Sequence, residues 1–499
     1  MGLTPDMPLD PRTPVLVGAG QLLQRVAPDE ALEPVDMIAE AARRAADDAG
    51  APGLLAAVDS VRIVSLLSWR YVNAAALVAE RVGAHPRETA YTPMGGNTPQ
   101  TLVNKTARAI AAGELDIAVI GGAEAWRTRM AQRKQDIKPD WTVEPDDTAP
   151  PVMLGEDLPM THPAEAARGI VMPIQLYPIF ENAIRAAAGR SVEDHLRHIS
   201  ELWARFSAVA AGNPYAWIQE AKSAEEIRTP SPSNRMVGFP YTKSMNSNND
   251  VDQAAALLLC SVEAARRLGV AEDRWVFPLA GTDAHDTPFV SNRENLHSSP
   301  AIRVAGRRAL ELAGIGIDDV VHVDLYSCFP SAVQIGATEL GLAIDRQLTV
   351  TGGLTFAGGP WNNYVGHAIA TMAGVLRADP GSVGLCSANG GYTTKHAMGL
   401  YSTTPPRDGF RWEDVQDEVD AITSAKDFAE EHEGPATIES YTVMHERDGS
   451  MTNAIVACLT PDDRRTWATS TDADVMKAMT SDDLIGRAAT ITGGTLTVD

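Results

Sequence analysis

The sequence predicts an α/β protein with two similar halves, an inserted segment between them and a small β domain at the end. Apolar runs that could be buried parallel strands alternate with Ala-rich helical stretches, and this alternation occurs twice. Strands of a sheet that helices cover on both faces are typically continuous apolar runs. With 499 residues, 44% of them hydrophobic and 21% charged, the chain can form about two to four domains or sub-domains.

The first half, which we place at 1–130 and 241–270, opens with this alternation. Its first stretch predicts three strands and two helices, the strands at 14–20, 60–67 and 115–125 and the helices at 36–50 and 98–113. The third strand runs into a tight Gly121-Gly122 turn, because glycine adopts backbone angles that other residues avoid.

The segment 131–240 has a different composition and is predicted to be a loop domain that covers a site. Trp, Pro and Met are frequent in it, and helices such as 191–212 are amphipathic without strands between them. After it, residues 271–404 repeat the strand and helix order of the first half. We therefore expect two similar α/β halves that face each other.

The last segment, 405–499, is predicted to be a small β domain. It follows a Pro-rich break, and residues 436–460 are typical of a hairpin around an Asp-Gly-Ser turn. Further short strands follow the hairpin. These features favour a β-barrel or a β-sandwich.

The cysteines point to a reducing compartment. Cys260, Cys328, Cys386 and Cys458 lie far apart with no short paired spacing, so neither a disulfide framework nor a zinc site is predicted. The N-terminal residues lack a positively charged lead with a long apolar run, and no later apolar stretch approaches the roughly 20 residues that span a bilayer. We expect a cytoplasmic protein that does not enter membranes.

The net charge of −23 limits the partners of the chain. Acidic residues concentrate in the C-terminal hundred residues, and such a field repels nucleic acids and anionic lipids. The aromatic residues of the β domain are few and scattered, unlike the stacking platforms of single-strand-binding folds. We expect no binding to nucleic acid.

Five segments, in order, resemble the thiolase superfamily. They are AIAAGELDIAVIGGAEAW (109–126), DQAAALLLCSVEAARRLG (252–269), VVHVDLYSCFPSAVQIGATELGL (320–342), TVTGGLTFAGGPWNNYVGHAIA (349–370) and GLCSANGGYTTKHAMGLYST (384–403). The resemblance is greatest to acetyl-CoA acetyltransferase-like proteins near the sterol-carrier thiolases. It implies the thiolase fold, in which two βαβαβαββ halves form five layers and carry a loop domain.

The same resemblance shows that the usual catalytic residues are replaced. A thiolase uses a nucleophilic cysteine, an activating histidine, a second cysteine for proton transfer and a polar residue that holds the oxyanion water. At the matching positions this chain has Gly96, Gly359, Ser387 and Tyr326. A shift of one residue would place Cys386 instead of Ser387 at the second cysteine. Thiolytic or Claisen turnover by the family's mechanism is therefore not expected.

Three other residues are candidates for surviving chemistry. Cys386 lies on a strand beside the expected pocket, and His367 follows Gly359 by a turn or two of helix. Cys328 is a further candidate, although the family has a cysteine there that is not the nucleophile. Each cysteine can equally be a small buried core residue, and a lone histidine on an Ala-rich helix is often a packing residue.

The resemblance implies coenzyme A or an acyl-CoA as the ligand, with no covalently bound cofactor. The loop KSMNSNNDVD matches the pantetheine channel of thiolases, where Ser244, Asn246 and Asn248 could bond the amides, or it could be an ordinary polar loop. We expect an acyl-CoA-binding protein, or else a non-catalytic partner in a lipid- or steroid-degrading complex, or an acyltransferase that uses Cys386 and His367. A homodimer is the family expectation, and a monomer is the alternative.

Overall fold

Two sheets of similar design form the body of the protein in a computed structural model that describes residues 9–498. The first eight residues lie outside the described residues. They belong to the predicted N-terminal half and to the segment in which we expect no export signal. The last residue of the predicted β domain also lies outside the described residues. Among residues 9–498 no helix is long and apolar enough to cross a membrane.

The first half begins with a strand and helix alternation, as the apolar runs predicted. Its elements are β1 (Pro14–Leu23), α1 (Pro34–Asp48), β2 (Ser60–Ile63), α2 (Ala74–Val82), β3 (Glu88–Tyr91), α3 (Thr98–Ala111), β4 (Ile117–Ala125) and α4 (Trp126–Lys134). The strand predicted at 60–67 is shorter than expected and ends at Ile63. The predicted tight turn at Gly121-Gly122 is wrong, because both glycines lie within β4 and pair with Ala256 and Ala255 of β8.

The inserted segment is mainly helical. It contains β5 (Val152–Met153), α5 (Pro163–Ala167), α6 (Pro173–Ala187), α7 (Val192–Gly212), α8 (Ala224–Arg228), β6 (Met236–Gly238) and β7 (Tyr241–Thr242). Ser191 caps α7, because its side chain accepts a hydrogen bond from the backbone N–H of Asp194. The first half then closes with β8 (Asp252–Ser261) and α9 (Val262–Arg267).

The second half repeats the pattern of the first. Its elements are β9 (Phe277–His285), α10 (Pro300–Ala313), β10 (Val320–Asp324), α11 (Pro330–Leu340), α12 (Gly353–Phe356), α13 (Tyr364–Ala378), β11 (Val383–Gly390) and β12 (Lys395–Ser402). The C-terminal segment adds β13 (Arg411–Asp414), α14 (Gln416–Ile422), β14 (Gly434–His445), β15 (Met451–Leu459), β16 (Arg465–Ser470), α15 (Ala473–Ser481), β17 (Ala488–Thr492) and β18 (Thr495–Val498).

The two halves stack in five layers. The first sheet has the order β1-β8-β4-β2-β3-β5 and the second the order β10-β11-β12-β9-β13. Helices α3 and α13 contact strands of both sheets and form the middle layer. Helix α1 covers the outer face of the first sheet, and α10 covers that of the second. The predicted thiolase fold is confirmed.

The C-terminal segment contains a closed five-stranded barrel in the order β14-β15-β16-β18-β17, in which β14 also pairs with β17. The predicted hairpin is β14 and β15, which pair antiparallel across the Asp-Gly-Ser turn. Two short elements cross the predicted boundaries. Strand β6 of the inserted segment pairs with β14, and β13 pairs with β9 of the second sheet.

A buried arginine fixes the barrel to the body. The Arg465 guanidinium is fully buried and donates two hydrogen bonds of 2.6 Å to the Glu439 carboxylate within the barrel. It also donates to the carbonyls of Val290 and Ser291 in the second half, each at 3.2 Å. On the other side, Arg185 of the loop domain pairs with Asp483 at 2.7 Å.

Candidate functional site

The loops that carry Gly96 and Gly359 meet between the two halves. Helix α3 begins just after Gly96, and the Thr98 hydroxyl donates to the Gly95 carbonyl at 2.7 Å. Asn362, which follows the Gly-Gly-Pro loop, connects the two loops. Its side-chain oxygen accepts a hydrogen bond from the Gly95 N–H at 3.1 Å, and its amide donates to the Ser65 carbonyl at 2.9 Å. The structure therefore brings these two sequence-predicted positions into one site.

Tyr326 occupies the space in which a side chain at position 96 would begin. A Cβ built on Gly96 would lie 2.4 Å from the Tyr326 hydroxyl oxygen and 2.5 Å from the Asn389 carbonyl oxygen. Contacts that close do not occur in folded proteins, because they are far inside the van der Waals distance. A cysteine at position 96 therefore cannot coexist with Tyr326 as it stands.

Ser387 positions Tyr326. The Ser387 hydroxyl accepts a hydrogen bond of 3.0 Å from the Tyr326 backbone N–H, and the Tyr326 ring meets the Tyr364 ring edge-on at 5.7 Å. Burial raises the pKa of Tyr326 above its ordinary value, so the phenol stays neutral at physiological pH. Tyr326, Ser387 and Asn389 line a small cavity of about 10 Å³.

Position 359, in contrast, has room for a side chain. A Cβ on Gly359 would lie 3.5 Å from the nearest atoms, which belong to Asn249 and Leu354. The Gly359 N–H donates to the Asn248 carbonyl at 2.9 Å, so the loop that contains the predicted channel residues lies against it. Position 359 therefore has space for a side chain, whereas position 96 does not.

Cys386 and His367 are both buried and both held in their neutral forms. Burial, with the nearby Asp324 carboxylate, raises the pKa of the Cys386 thiol well above its ordinary value. Burial lowers the pKa of His367 to about 3. The His367 Nδ1 shares a hydrogen bond of 2.8 Å with the Gln21 side chain. No hydrogen bond between described residues joins His367 to Cys386, so the structure does not assemble them as a dyad.

Cys328 lies beside Asn389, which also lines the small cavity with Tyr326 and Ser387. Burial raises the pKa of its thiol to about 12. Its sulfur lies 4.0 Å from the Asn389 side-chain nitrogen, and its carbonyl accepts a hydrogen bond of 2.9 Å from the Ser247 hydroxyl. These contacts connect Cys328 to the predicted channel loop and suit a packing residue.

The three residues predicted to line the pantetheine channel differ in their burial and in the hydrogen bonds that they make. Ser244 is buried, and its backbone N–H donates to Asn234 at 2.8 Å. The Asn246 amide donates to the Thr242 carbonyl at 2.6 Å. Asn248 is half-buried, and its side chain makes no hydrogen bond to another described residue. Of the three, Asn248 has the side chain best placed to bond a ligand.

Sequence reasoning missed two features of this region. Asn362 and Asn363 connect the halves through hydrogen bonds to the first half. The feature of the sequence that could have indicated this is the pair of polar residues just after Gly358-Gly359-Pro360. Lys395 is a buried charge at the start of strand β12, and its signal is a lysine among otherwise apolar and small strand residues. No group of three or more His, Cys, Asp or Glu side chains in residues 9–498 is placed to hold a metal ion.

Comparisons with known proteins agree with the fold. The family model described as the thiolase-like protein type 1 additional C-terminal domain matches residues 414–493. The acetyl-CoA acetyltransferase of Methanocaldococcus jannaschii is 23% identical over 309 residues, which cover 61% of this chain and 70% of that protein. A structure described as the Ltp2-ChsH2(DUF35) aldolase is 18% identical, has a TM-score of 0.57 and covers 79% of this chain and 98% of that chain. At that identity it shares the fold alone.

A further solved structure is similar over nearly the whole length. It is the crystal structure of a monomeric SCP2-thiolase-like protein type 1 from Mycobacterium smegmatis, with 34% sequence identity and a TM-score of 0.84. The match covers 98% of this chain and 100% of that chain, including the added barrel. The chain belongs to the SCP2-thiolase-like proteins of type 1, within the thiolase superfamily.

Proposed function

We propose that this protein binds acyl-CoA thioesters and does not carry out thiolytic or Claisen turnover by the cysteine and histidine route of thiolases. One observation carries the proposal, namely that the Tyr326 hydroxyl lies where the side chain of the nucleophile would begin, 2.4 Å from a Cβ at position 96. The replacement is thus more than a missing thiol. If position 96 matches the nucleophile, as the resemblance to thiolases implies, the Tyr326 hydroxyl also excludes any side chain from that position.

The remaining cysteines of the site give no thiolate to replace it. Attack on a thioester needs the thiolate, and a thiol with a pKa of about 12, as for Cys328, is ionised in about one molecule in 10⁵ at pH 7. The pKa of Cys386 is also raised well above its ordinary value. His367, with a pKa of about 3, is bonded to Gln21 and has no protonated form near neutral pH that would stabilise a thiolate.

A polar group beside Gly359 supports the binding of a thioester. The half-buried Asn248 side chain has no hydrogen bond to another described residue, and the Asn248 carbonyl accepts from the Gly359 N–H. This amide could bond an amide of pantetheine, because a ligand would supply the partner that the protein does not.

Calorimetric titration with acetyl-CoA and hexanoyl-CoA tests binding, and mass spectrometry of the incubated protein tests for a covalent acyl group. We expect binding, no adduct, and no thiolysis of acetoacetyl-CoA. Asn248→Ala should weaken binding about 2–12-fold, the equivalent of one lost hydrogen bond of about 0.5–1.5 kcal/mol. Asn453→Ala in the barrel is the matched control and should leave binding unchanged.

Three outcomes would contradict the proposal. An acyl adduct on the Cys386 peptide that disappears in Cys386→Ser would instead support an acyltransferase that uses Cys386. Thiolysis of acetoacetyl-CoA would show that a thiolase mechanism operates despite Tyr326. The absence of binding to either thioester would leave a non-catalytic partner as the function.

The partner alternative has one observation in its favour. The structure described as the Ltp2-ChsH2(DUF35) aldolase joins two proteins, and one of its chains shares the fold of this protein. By analogy, this chain could assemble with a second protein of a lipid- or steroid-degrading complex. Affinity purification of the tagged full chain, with quantitative mass spectrometry of the bound proteins, tests this. We further propose a cytoplasmic location, which the four free cysteines support.

A further inference from the structure

A second cavity lies beside the loop that carries Gly96. It has a volume of about 110 Å³ and lies between the N-terminal turn of α3, strands β9, β12 and β13, and the 155–158 loop. Asn97 and Lys395 line it, whereas Tyr326 and Ser387 line the separate small cavity described above. The strand β13, which lies beyond the five similar segments noted in the sequence, supplies Trp412 and Asp414 to one wall.

Lys395 is an unusual lysine. Of the eight lysines in the sequence, all of which lie among the described residues, Lys395 alone is buried, with 4% of its surface exposed. Its amino group donates to the Met94 carbonyl at 2.5 Å, and no carboxylate of the described residues lies within ion-pair distance of it. Burial lowers the pKa of Lys395, and the charges of Asp157 and Glu156 offset this effect in part. A buried amine without an ion pair has a larger neutral fraction than a surface lysine.

Two acid–base groups lie on the same face of the sheet as Lys395. Strands β9 and β12 pair antiparallel with Lys395 directly opposite His285 and with Ala397 opposite Asp283. Side chains directly opposite each other project to the same face, with Cβ atoms about 5 Å apart. The His285 Nδ1 bonds with the Asp286 carbonyl at 2.9 Å, which leaves its Nε2 to exchange a proton in the cavity that it lines.

Hydrogen bonds fix the position of the Asp283 carboxylate on this face of the sheet. Its carboxylate accepts hydrogen bonds from the Asn104 amide at 2.9 Å and from the Trp412 indole N–H at 2.7 Å. Burial raises the pKa of Asp283 above its ordinary value, although these hydrogen bonds oppose the rise. Carboxylates, amines and an imidazole thus meet around a cavity of molecular size.

We propose that this cavity takes a small aldehyde or ketone and that the Lys395 amine forms an imine with its carbonyl carbon. The neutral amine attacks the carbonyl carbon, so that a C–N bond forms and the π bond of C=O breaks, and a proton passes from the nitrogen to the oxygen to give a hydroxyl group. That hydroxyl takes a proton from His285 and leaves as water while the nitrogen lone pair forms the C=N bond, and the remaining N–H proton returns to His285. The step needs no oxidant or reductant. It is separate from thioester binding at Gly96 and Gly359.

The mixed charge of the lining favours a small neutral carbonyl compound over an anion. Lys105 and Lys395 contribute positive charge, whereas Glu156, Asp283 and Asp414 contribute negative charge. An anionic ligand would meet three carboxylates and only two amines, and the excess of negative charge costs free energy. The Thr98 hydroxyl, which donates its proton to the Gly95 carbonyl, could still accept a hydrogen bond from a polar substituent on the same molecule.

Trapping with propanal and sodium cyanoborohydride tests the proposal on the full chain. The reductant converts an imine into a stable propylamine, and peptide mapping then gives the extent of modification at each of the eight lysines. Each unit by which a pKa is lowered gives about ten times more neutral amine at neutral pH. We expect Lys395 to be modified at least about threefold faster than the half-buried Lys105, even though Lys105 is more accessible.

Two controls separate reactivity from exposure. In a denaturant the preference for Lys395 should disappear, because all lysines then have similar surroundings. Lys395→Arg keeps the positive charge and a donor for the Met94 carbonyl, and it should remove the fast phase, whereas Lys477→Arg at an exposed helix position should not. Slower modification of Lys395 than of the exposed lysines in the folded protein would overturn the proposal, and so would equal rates in the folded and unfolded states.

Discussion

Substitution of Gly96 by alanine should destabilise the protein because of Tyr326 and not because of the backbone. Gly96 is not among the residues with a positive φ, so alanine meets no conformational penalty there. The new Cβ would lie 2.4 Å from the Tyr326 hydroxyl oxygen, about 1 Å inside ordinary contact. Overpacking of this kind destabilises the folded state by about 1–3 kcal/mol. Alanine also lowers the conformational entropy of the unfolded chain, which stabilises the protein by about 0.4–1 kcal/mol. We expect a net loss of about 1–2 kcal/mol.

Gly359→Ala is the matched control. Its Cβ would lie 3.5 Å from Asn249 and Leu354, which is ordinary contact, and the φ of Gly359 is also outside the positive region. The free energy of unfolding should therefore change by less than about 0.5 kcal/mol, or rise slightly. Urea unfolding followed by circular dichroism gives both values.

A double-mutant cycle identifies the cause. Tyr326→Phe removes a hydroxyl that makes no hydrogen bond to another described residue, so this change alone should cost little. In the Gly96→Ala background it should recover about 0.5–1 kcal/mol, since the contact at 2.4 Å disappears while the Asn389 carbonyl remains at 2.5 Å. A coupling energy of zero, or no loss in Gly96→Ala, would refute the placement of the Tyr326 hydroxyl against position 96.

Three further predictions follow from the same structure. Arg465→Met should lower the free energy of unfolding by about 3–5 kcal/mol, because it leaves the Glu439 carboxylate without its partner and the 290–291 carbonyls without a donor. The control Arg464→Met, at the exposed neighbouring side chain, should change the free energy of unfolding by less than about 0.5 kcal/mol. Burial raises the pKa of Glu124 to about 7 from an ordinary 4.5, so the folded state holds that proton more tightly than the unfolded state does. The free energy of unfolding should therefore fall by up to about 3 kcal/mol as the pH rises from 4.5 to 7. The same titration of Glu124→Gln should lack this dependence, and its persistence there would contradict the assignment. Strand β5 pairs with the otherwise open edge of β3, so light scattering after size exclusion should give the mass of a monomer, 53.2 kDa, and a dimer mass would contradict this use of the edge.

The sequence predicted the fold well where buried strands are uniform. Strands β4 and β8 are buried along their whole length, and such strands are continuous apolar runs that a sequence reveals directly. The barrel hairpin was equally visible, because the Asp-Gly-Ser turn fixes where two strands meet. Both predictions depend on local signals of the kind that a short window of residues contains.

Features that depend on distant partners were not predictable in the same way. Strand β6 has only three residues, too few to show a periodic pattern. It is extended because it pairs with β14, which lies about two hundred residues later in the sequence. The place of Tyr326 is a similar case. The resemblance to thiolases implies the oxyanion position for Tyr326. That its hydroxyl lies against position 96 depends on how the two halves pack together, which no local pattern of residues contains.

Two glycines of the segments that resemble thiolases, Gly122 and Gly366, are required by close packing around Asn363. Asn363 donates to the Gly122 carbonyl at 2.6 Å, and it fits because a Cβ on Gly122 would lie 2.5 Å from its side chain. Gly366 is limited in the same way, since its Cβ would lie 2.7 Å from the Asn363 side-chain oxygen. Gly122 thus lets the 361–363 turn approach β4 across the interface of the two halves, and Gly366 leaves room for Asn363 at the start of α13. In this chain the Gly121-Gly122 pair serves close packing between the halves, which a reaction at positions 96, 326 and 359 does not require.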